Sequence, residues 1–378
     1  MNVLVVSGIW PPDVGGPASH APEVAAFLRA RGHGVEVLTT ATAAPAQEVY
    51  AVRWVRRDLP VGWRHVRGAA LVRARAGRAD VVYTTGMFGR SALGARLARK
   101  PYVVKLTADP AHERARRRGL STADVAQFQA ERGAALAVLR AARNAQLRGA
   151  ARVLCPSDYL RKLVVSWGID PVRVEVLPNP SPPLPASLPA REAVRERLRL
   201  DGPTLVFAGR LTAQKALDVA LEAVEANDGV SLLVAGEGDE RARLEARAET
   251  VGLNGRVRFL GSTTRQNVLE LLRAADALLL SSRWENFPHA VVEALAVGTP
   301  VLGTAVGGVA EVVEDGRNGL LAPPGDAAAL ADVIRRFFAD DDLRARLAAA
   351  ASQSAEKYAP AHIYARLERV LREAASAS

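Results

Sequence analysis

The stretch ALLLSSRWENFPHAVVEALAVGTPVLGT, residues 277–304, decides the fold. Ala277–Leu280 is an apolar run of strand length. A polar loop follows, and Pro288 then opens a segment in which Val291, Val292 and Leu295 recur at helical spacing. Gly298-Thr299-Pro300 breaks that helix, and a second apolar run, Pro300–Gly303, begins at once. Strand, helix and strand in this order make a parallel pair with a crossover helix.

The alternation continues outward. Upstream lie the runs Thr204–Ala208, Ser231–Ala235 and Val257–Leu260, separated by helical patterns such as Ala216–Ala226 and Gln266–Ala274. The first half has Val3–Val6, Val35–Thr39, Val81–Thr84, Tyr102–Leu106 and Val153–Pro156, with helices such as Pro17–Arg31 between them. Between the two sets stands Pro178-Asn179-Pro180-Ser181-Pro182-Pro183, followed by Pro185 and Pro189. So many prolines exclude a helix interior or a central strand, and the segment reads as a linker. The pattern predicts an α/β protein of two facing Rossmann-like domains, residues 1–185 and 186–357. The last segment, about 358–378, carries Ile363, Leu367, Val370 and Leu371 on one stripe. It is expected to cross back onto the first domain.

At 378 residues the chain can bury a core in each half without disulfide or metal staples. Apolar residues at 49% and charged residues at 24% exclude disorder and fibrous classes. The single cysteine, Cys155, excludes an internal disulfide and a Cys-rich zinc site, and reads as a small buried apolar residue. No apolar run approaches the ~18–20 residues of a membrane span. Met1–Val6 reads as a first strand rather than a leader. A cytoplasmic location is expected, with peripheral contact on the inner face of the membrane as its refinement.

The formal charge of +10 is unevenly placed. Residues 1–190 hold 27 Lys and Arg against 13 Asp and Glu, a surplus of +14. The remainder holds 23 against 27, or −4. Arg53, Arg56, Arg57, Arg64, Arg67, Arg73, Arg75 and Arg78 form one cluster, interleaved with Trp54 and Trp63, and Arg114, Arg116, Arg117 and Arg118 form another. Contact with an anionic membrane and a merely solvated face both fit.

In an open parallel sheet, ligands bind beyond the carboxyl ends of the strands. After the first strand, Gly15-Gly16 precedes a helix opening at Pro17, so backbone N–H groups there can approach an anion; a plain tight turn is the alternative. After Thr204–Ala208 come Gly209, Arg210 and Lys215, two cations flanking a turn and suited to a pyrophosphate. Gly236-Glu237-Gly238-Asp239 lacks the third glycine of a dinucleotide fingerprint but can abut a nucleotide base. After Ala277–Leu280, Glu285 sits on the loop and Glu293 inside the helix. Asn286, Phe287, Pro288 and His289 lie between them, at a helix N-terminus that favours an anion.

These motifs, in this order, resemble glycosyltransferase family 4, the retaining nucleotide-sugar enzymes of the GT-B fold. The likeness runs from Gly15-Gly16 through Pro178-Asn179, Gly209-Arg210 and Lys215 to Glu285-x7-Glu293, Gly298-Thr299-Pro300, Gly307-Gly308 and Glu311. It implies that Arg210 and Lys215 neutralise the leaving diphosphate and that Glu293 holds the ribose hydroxyls. Glu285, with backbone N–H groups of Asn286–His289, would hold the transferred sugar. Gly16, Gly209, Gly236 and Leu260 would line the donor. No metal or other cofactor is expected. A histidine often follows the strand that here is Tyr102–Leu106, but this chain has Thr107-Ala108-Asp109-Pro110-Ala111-His112. Asp109 or His112 is expected in its place, Asp109 in a catalytic role, and His20 is a further candidate on the acceptor side. An ordinary packing role is the alternative for both histidines.

The expected reaction is transfer from a UDP- or GDP-sugar to a hydroxyl acceptor, lipid-linked, polysaccharide or small. A nucleotide-sugar epimerase of the same fold would act without an acceptor. A nucleic-acid-binding protein fits the first-half charge, but aromatic residues are only 5% and no nucleic-acid motif appears, so no nucleic acid is expected as partner.

Overall fold

The computed structural model describes residues 1–13, 16–45, 48–185 and 187–377. Among these residues thirteen strands form two sheets, and every strand pairing is parallel. The first sheet holds β1 (Asn2–Val6), β2 (Gly34–Ala41), β3 (Ala51–Arg56), β4 (Val81–Thr84), β5 (Tyr102–Lys105), β6 (Arg152–Cys155) and β7 (Val174–Val176), in the order 3-2-1-4-5-6-7. The second holds β8 (Thr204–Ala208), β9 (Ser231–Ala235), β10 (Val257–Gly261), β11 (Ala277–Leu280), β12 (Val301–Thr304) and β13 (Gly319–Ala322), in the order 10-9-8-11-12-13.

Alternation along each central strand feeds two apolar layers. In β1, Val3 and Val5 enter one layer and Leu4 and Val6 the other. In β8, Leu205 and Phe207 face one core and Val206 and Ala208 the other. Cys155 is fully buried, and burial pushes its thiol up to about 12.

Three strands escaped the sequence reading. β3 had looked only like part of an arginine cluster, but it is an edge strand with Arg53 and Arg56 exposed. β7 and β13, three and four residues long, are likewise edge strands.

Met1–Leu177 and Ile363–Ser378 make one compact unit, and Pro178–His362 the other. The division thus falls before the prolines rather than at 185, and the return falls at 362 rather than 357. The reason is local. Both the amide and the hydroxyl of Ser181 donate to the Tyr358 carbonyl, at 2.8 and 3.3 Å, which ties both crossing segments to the second unit.

The last helix, Pro360–Ser376, buries Ile363, Tyr364, Leu367, Val370 and Leu371 against the layer holding Val3, Val5 and Val81. Glu368 pins it. His33 Nε2 lies 2.8 Å from its carboxylate, while Arg372 and Arg31 donate at 2.7 and 3.2 Å. Burial pushes Glu368 up, but hydrogen bonds from Arg372, His33 and Arg31 outweigh it and hold the carboxyl at about 2. A carboxyl depressed in the folded state stabilises it above its unfolded value, and that contribution fades as pH falls toward the folded value. Urea melts of the wild type should therefore lose about 1–3 kcal/mol between roughly pH 4.5 and 2 through this group. Glu368→Gln should remove that portion of the pH dependence; an unchanged profile would refute the assignment.

Candidate active site

In the second sheet, β8 and β11 are neighbours from which the strand order runs in opposite directions. Loops at such a switch point diverge and leave a crevice beyond the carboxyl ends. The loops after these two strands carry Arg210, Lys215 and Glu285, and hydrogen bonds knit them together. Arg283 N donates to Gln214 O at 2.8 Å, Gln214 Nε2 to Trp284 O at 2.9 Å, and Ser281 Oγ to Lys215 O at 3.0 Å.

Glu285 is buried, and its carboxylate accepts from Lys215 Nζ and, at 2.9 Å, from Ser282 Oγ. An ammonium has three donors, so Lys215 keeps N–H groups for a second anion. Arg210 is exposed and has no hydrogen-bond or ion-pair partner among the described residues. Gly308 N donates to Glu285 O at 2.9 Å, and a Cβ on Gly308 would stand 2.5 Å from Asn286 O, so only glycine lets that turn approach.

Phe287 is buried, Pro288 caps the helix His289–Ala296, and His289 is exposed. Glu293, a turn into that helix, is shielded, and burial raises its carboxyl above the ordinary value. Arg265, 3.3 Å away, opposes the shift.

Gly236 and Gly238 have a clear structural duty. A Cβ on Gly236 would fall 1.8 Å from Gly209 O, and one on Gly238 2.2 Å from Leu211 O. The β9 loop therefore presses its backbone on the Arg210 loop, sealed by Leu211 N to Glu237 O at 2.9 Å. Leu260 is half-buried on the edge strand β10.

The first unit departs more from expectation. Gly15 lies outside the described residues, and Gly16 begins the helix Gly16–Ala30. His20 Nε2 lies 2.9 Å from the Tyr83 hydroxyl, with its ring against Tyr364 of the last helix. Asp109, expected to be catalytic, is almost fully buried and occupied. It caps the helix Pro110–Arg117 through Ala111 N at 2.8 Å and accepts from Arg143 at 2.6 Å and Gln129 at 3.0 Å. The geometry gives it a structural role. His112 is likewise buried, with Nε2 2.9 Å from Ala123 O and its ring on Phe128.

The sequence reading missed Ser282, Arg265 and Gln214, whose parts depend on partners 3, 28 and 70 positions away. It also missed Lys105, buried at the end of β5, where it donates to the Leu177 carbonyl and burial pushes the amine down to about 7. A strand pattern broken by one lysine was the available signal. Among the described residues, no group of three or more His, Cys, Asp or Glu is arranged to hold a metal ion. Nor is any helix among them long and apolar enough to cross a membrane.

Two parallel Rossmann-like units, one with cations at its switch point, are the parts of a GT-B glycosyltransferase. The crystal structure of Anabaena Alr3699/HepE in complex with UDP and glucose shares this fold, with a TM-score of 0.78 and 22% identity over 98% of this chain and 99% of that one. Residues 15–180 match the glycosyl transferase 4-like domain family, and residues 190–354 match glycosyl transferases group 1. D-inositol 3-phosphate glycosyltransferase of Xylanimonas cellulosilytica is 33% identical, over 92% of this chain and 88% of that protein. Phosphatidyl-myo-inositol mannosyltransferase of Mycobacterium leprae is 36% identical over 42% of this chain and 43% of that protein. The chain belongs to glycosyltransferase family 4, and is a hexosyltransferase of that type.

Proposed function

We propose that the protein transfers a hexose from a UDP- or GDP-sugar to a hydroxyl acceptor with retention of anomeric configuration and without a metal. The observation that carries this is two cations on the β8 loop at the β8–β11 switch point: Arg210, with no hydrogen-bond or ion-pair partner among the described residues, and Lys215, bound to the buried Glu285. In the reaction, the bond from the anomeric carbon to the diphosphate oxygen breaks and the bond to the acceptor oxygen forms on the same face. The acceptor proton passes to an oxygen of the departing diphosphate. Arg210 and Lys215 stabilise the charge that develops there, in the role a metal ion plays in other transferases. Glu293 accepts from the ribose hydroxyls, which offsets the cost of its burial. Glu285 and the backbone at Asn286–His289 hold the sugar.

Turnover of UDP- and GDP-sugars with and without candidate acceptors tests this reading. The proton NMR coupling of the product should report retention, and EDTA should leave the rate unchanged. Product formed without any acceptor would favour an epimerase.

The acceptor is proposed to be presented at an anionic membrane surface. Support comes from the helices Val61–Ala76 and Phe88–Leu97, which pack together, contain no acidic residue, and expose Trp63, Val61, Val66, Leu93 and Leu97 beside Arg67, Arg73 and Arg96. Much of the arginine cluster read from the sequence is spent internally, since Arg53 and Arg75 pair with Glu36, Arg56 with Asp58 and Arg57 with Asp13. Flotation with phosphatidylglycerol vesicles at low salt should carry the protein, and Trp63→Ser or high salt should release it. Failure of the wild type to float would end the docking proposal.

A further inference from the structure

The loop Phe287–His289 is braced by both segments through which the chain enters and leaves the second unit. Asn179, buried just after the entry point, donates from Nδ2 to His289 Nε2 at 3.2 Å. Tyr358, buried just before the exit, sets its ring edge-on to Phe287 at 5.9 Å between centroids, and Phe287 in turn meets the His289 ring at 5.5 Å. Ser181 closes the circle by donating twice to the Tyr358 carbonyl.

An amide NH2 only donates, so in this arrangement His289 Nε2 accepts and the neutral ring carries its proton on Nδ1. Asn179 thus selects both the tautomer and the ring orientation of the first residue of the helix that carries Glu293. The neighbouring residue, Pro288, donates no backbone hydrogen bond of its own. The loop therefore lacks one of the usual N–H tethers, and a side-chain tether can replace it.

We propose that Asn179 is a positioning residue for the sugar part of the donor: through His289 it holds the Asn286–His289 backbone in the conformation that receives the hexose. This rests on the proposed donor reading, and it adds a specificity element outside the switch-point loops. Because Asn179 acts on the sugar end, it should affect the intact nucleotide sugar and not the bare nucleoside diphosphate.

The test is calorimetric binding of UDP-glucose against UDP, and of GDP-mannose against GDP, taking the pair that binds. In Asn179→Ala the ratio of the two affinities should shift by about 5–20-fold against the nucleotide sugar, with diphosphate affinity held within about twofold. His289→Ala, an exposed substitution that leaves the core intact, should give the same shift. The double variant should be no worse than His289→Ala alone, because His289→Ala already removes the contact with Asn179. Unchanged ratios in both single variants, or equal losses for sugar and diphosphate, would overturn the proposal. Arg210→Ala in the same assay separates the two levels. If it weakens diphosphate binding while Asn179→Ala leaves the ratio alone, only the positioning role fails. If it leaves diphosphate binding unchanged, the donor reading fails with it.

Discussion

Arg210→Ala is expected to lower sugar transfer by about two to three orders of magnitude, the usual loss when one preorganised donor to a developing oxyanion is removed. The melting temperature should stay within about 2 °C, because an exposed side chain with no partner among the described residues leaves none of them unpaired when it goes. That combination sets Arg210 apart from its neighbour. Lys215→Ala should also slow transfer, but it leaves the buried carboxylate of Glu285 with Ser282 alone as side-chain partner among the described residues, so it should cost stability too. Arg210→Lys keeps the charge and loses the planar fork, and should recover part of the rate. Single-turnover kinetics alongside thermal melts measure both quantities. Transfer within twofold of wild type for Arg210→Ala would remove the basis of the proposed function.

The largest expected effect on stability lies at Asp109. Its carboxylate and the Arg143 guanidinium are both buried, with side chains 0% and 3% exposed. The guanidinium also stacks 3.6 Å above the Trp167 ring, so Arg143 has no route to solvent without breaking that packing. Removing one member of a buried pair leaves the other charge uncompensated, which typically costs about 3–5 kcal/mol. Asp109→Ala also removes a helix cap, so a fall in melting temperature of roughly 10 °C or more is expected for a unit of this size. Asp109→Ala/Arg143→Met should regain part of the loss. A catalytic Asp109 predicts the reverse, with near-normal melts and abolished turnover. Residual turnover by Asp109→Ala at low temperature, together with the lowered melt, would establish the structural role; a normal melt with no turnover would refute it.

Why the second half was more legible than the first follows from where its groups sit. Arg210, Lys215 and Glu285 lie two, seven and five residues past the ends of β8 and β11, and Glu293 lies in the helix that directly follows the β11 loop, so strand, loop and helix could be read together. In the first half, Asp109 also follows a strand, and by the same rule it looked functional. Its true partners, Gln129 and Arg143, lie 20 and 34 residues downstream, where no local pattern announces them. The contacts of His20 and His112 were hidden for the same reason, since Tyr83, Tyr364 and Phe128 reach them only through the fold. The +14 surplus of the first 190 residues was countable in advance. Which of its arginines remain available was not, because Glu36, Asp13 and Asp58 neutralise several of them across strands and loops.

The sequence by itself determined the class: alternating strand and helix periods, a proline-rich divide, and cations and carboxylates placed after strands. Those features are local, being set by side-chain spacing over a few residues and by backbone limits on proline and glycine. The tertiary structure alone decided the roles. It spent Asp109 on a buried ion pair, set Gly236 against the Gly209 carbonyl, and joined Asn179 to His289 across 110 positions. A polar group takes its function from what is left of its hydrogen-bonding capacity once the chain has folded, and that remainder depends on neighbours that only the folded chain supplies.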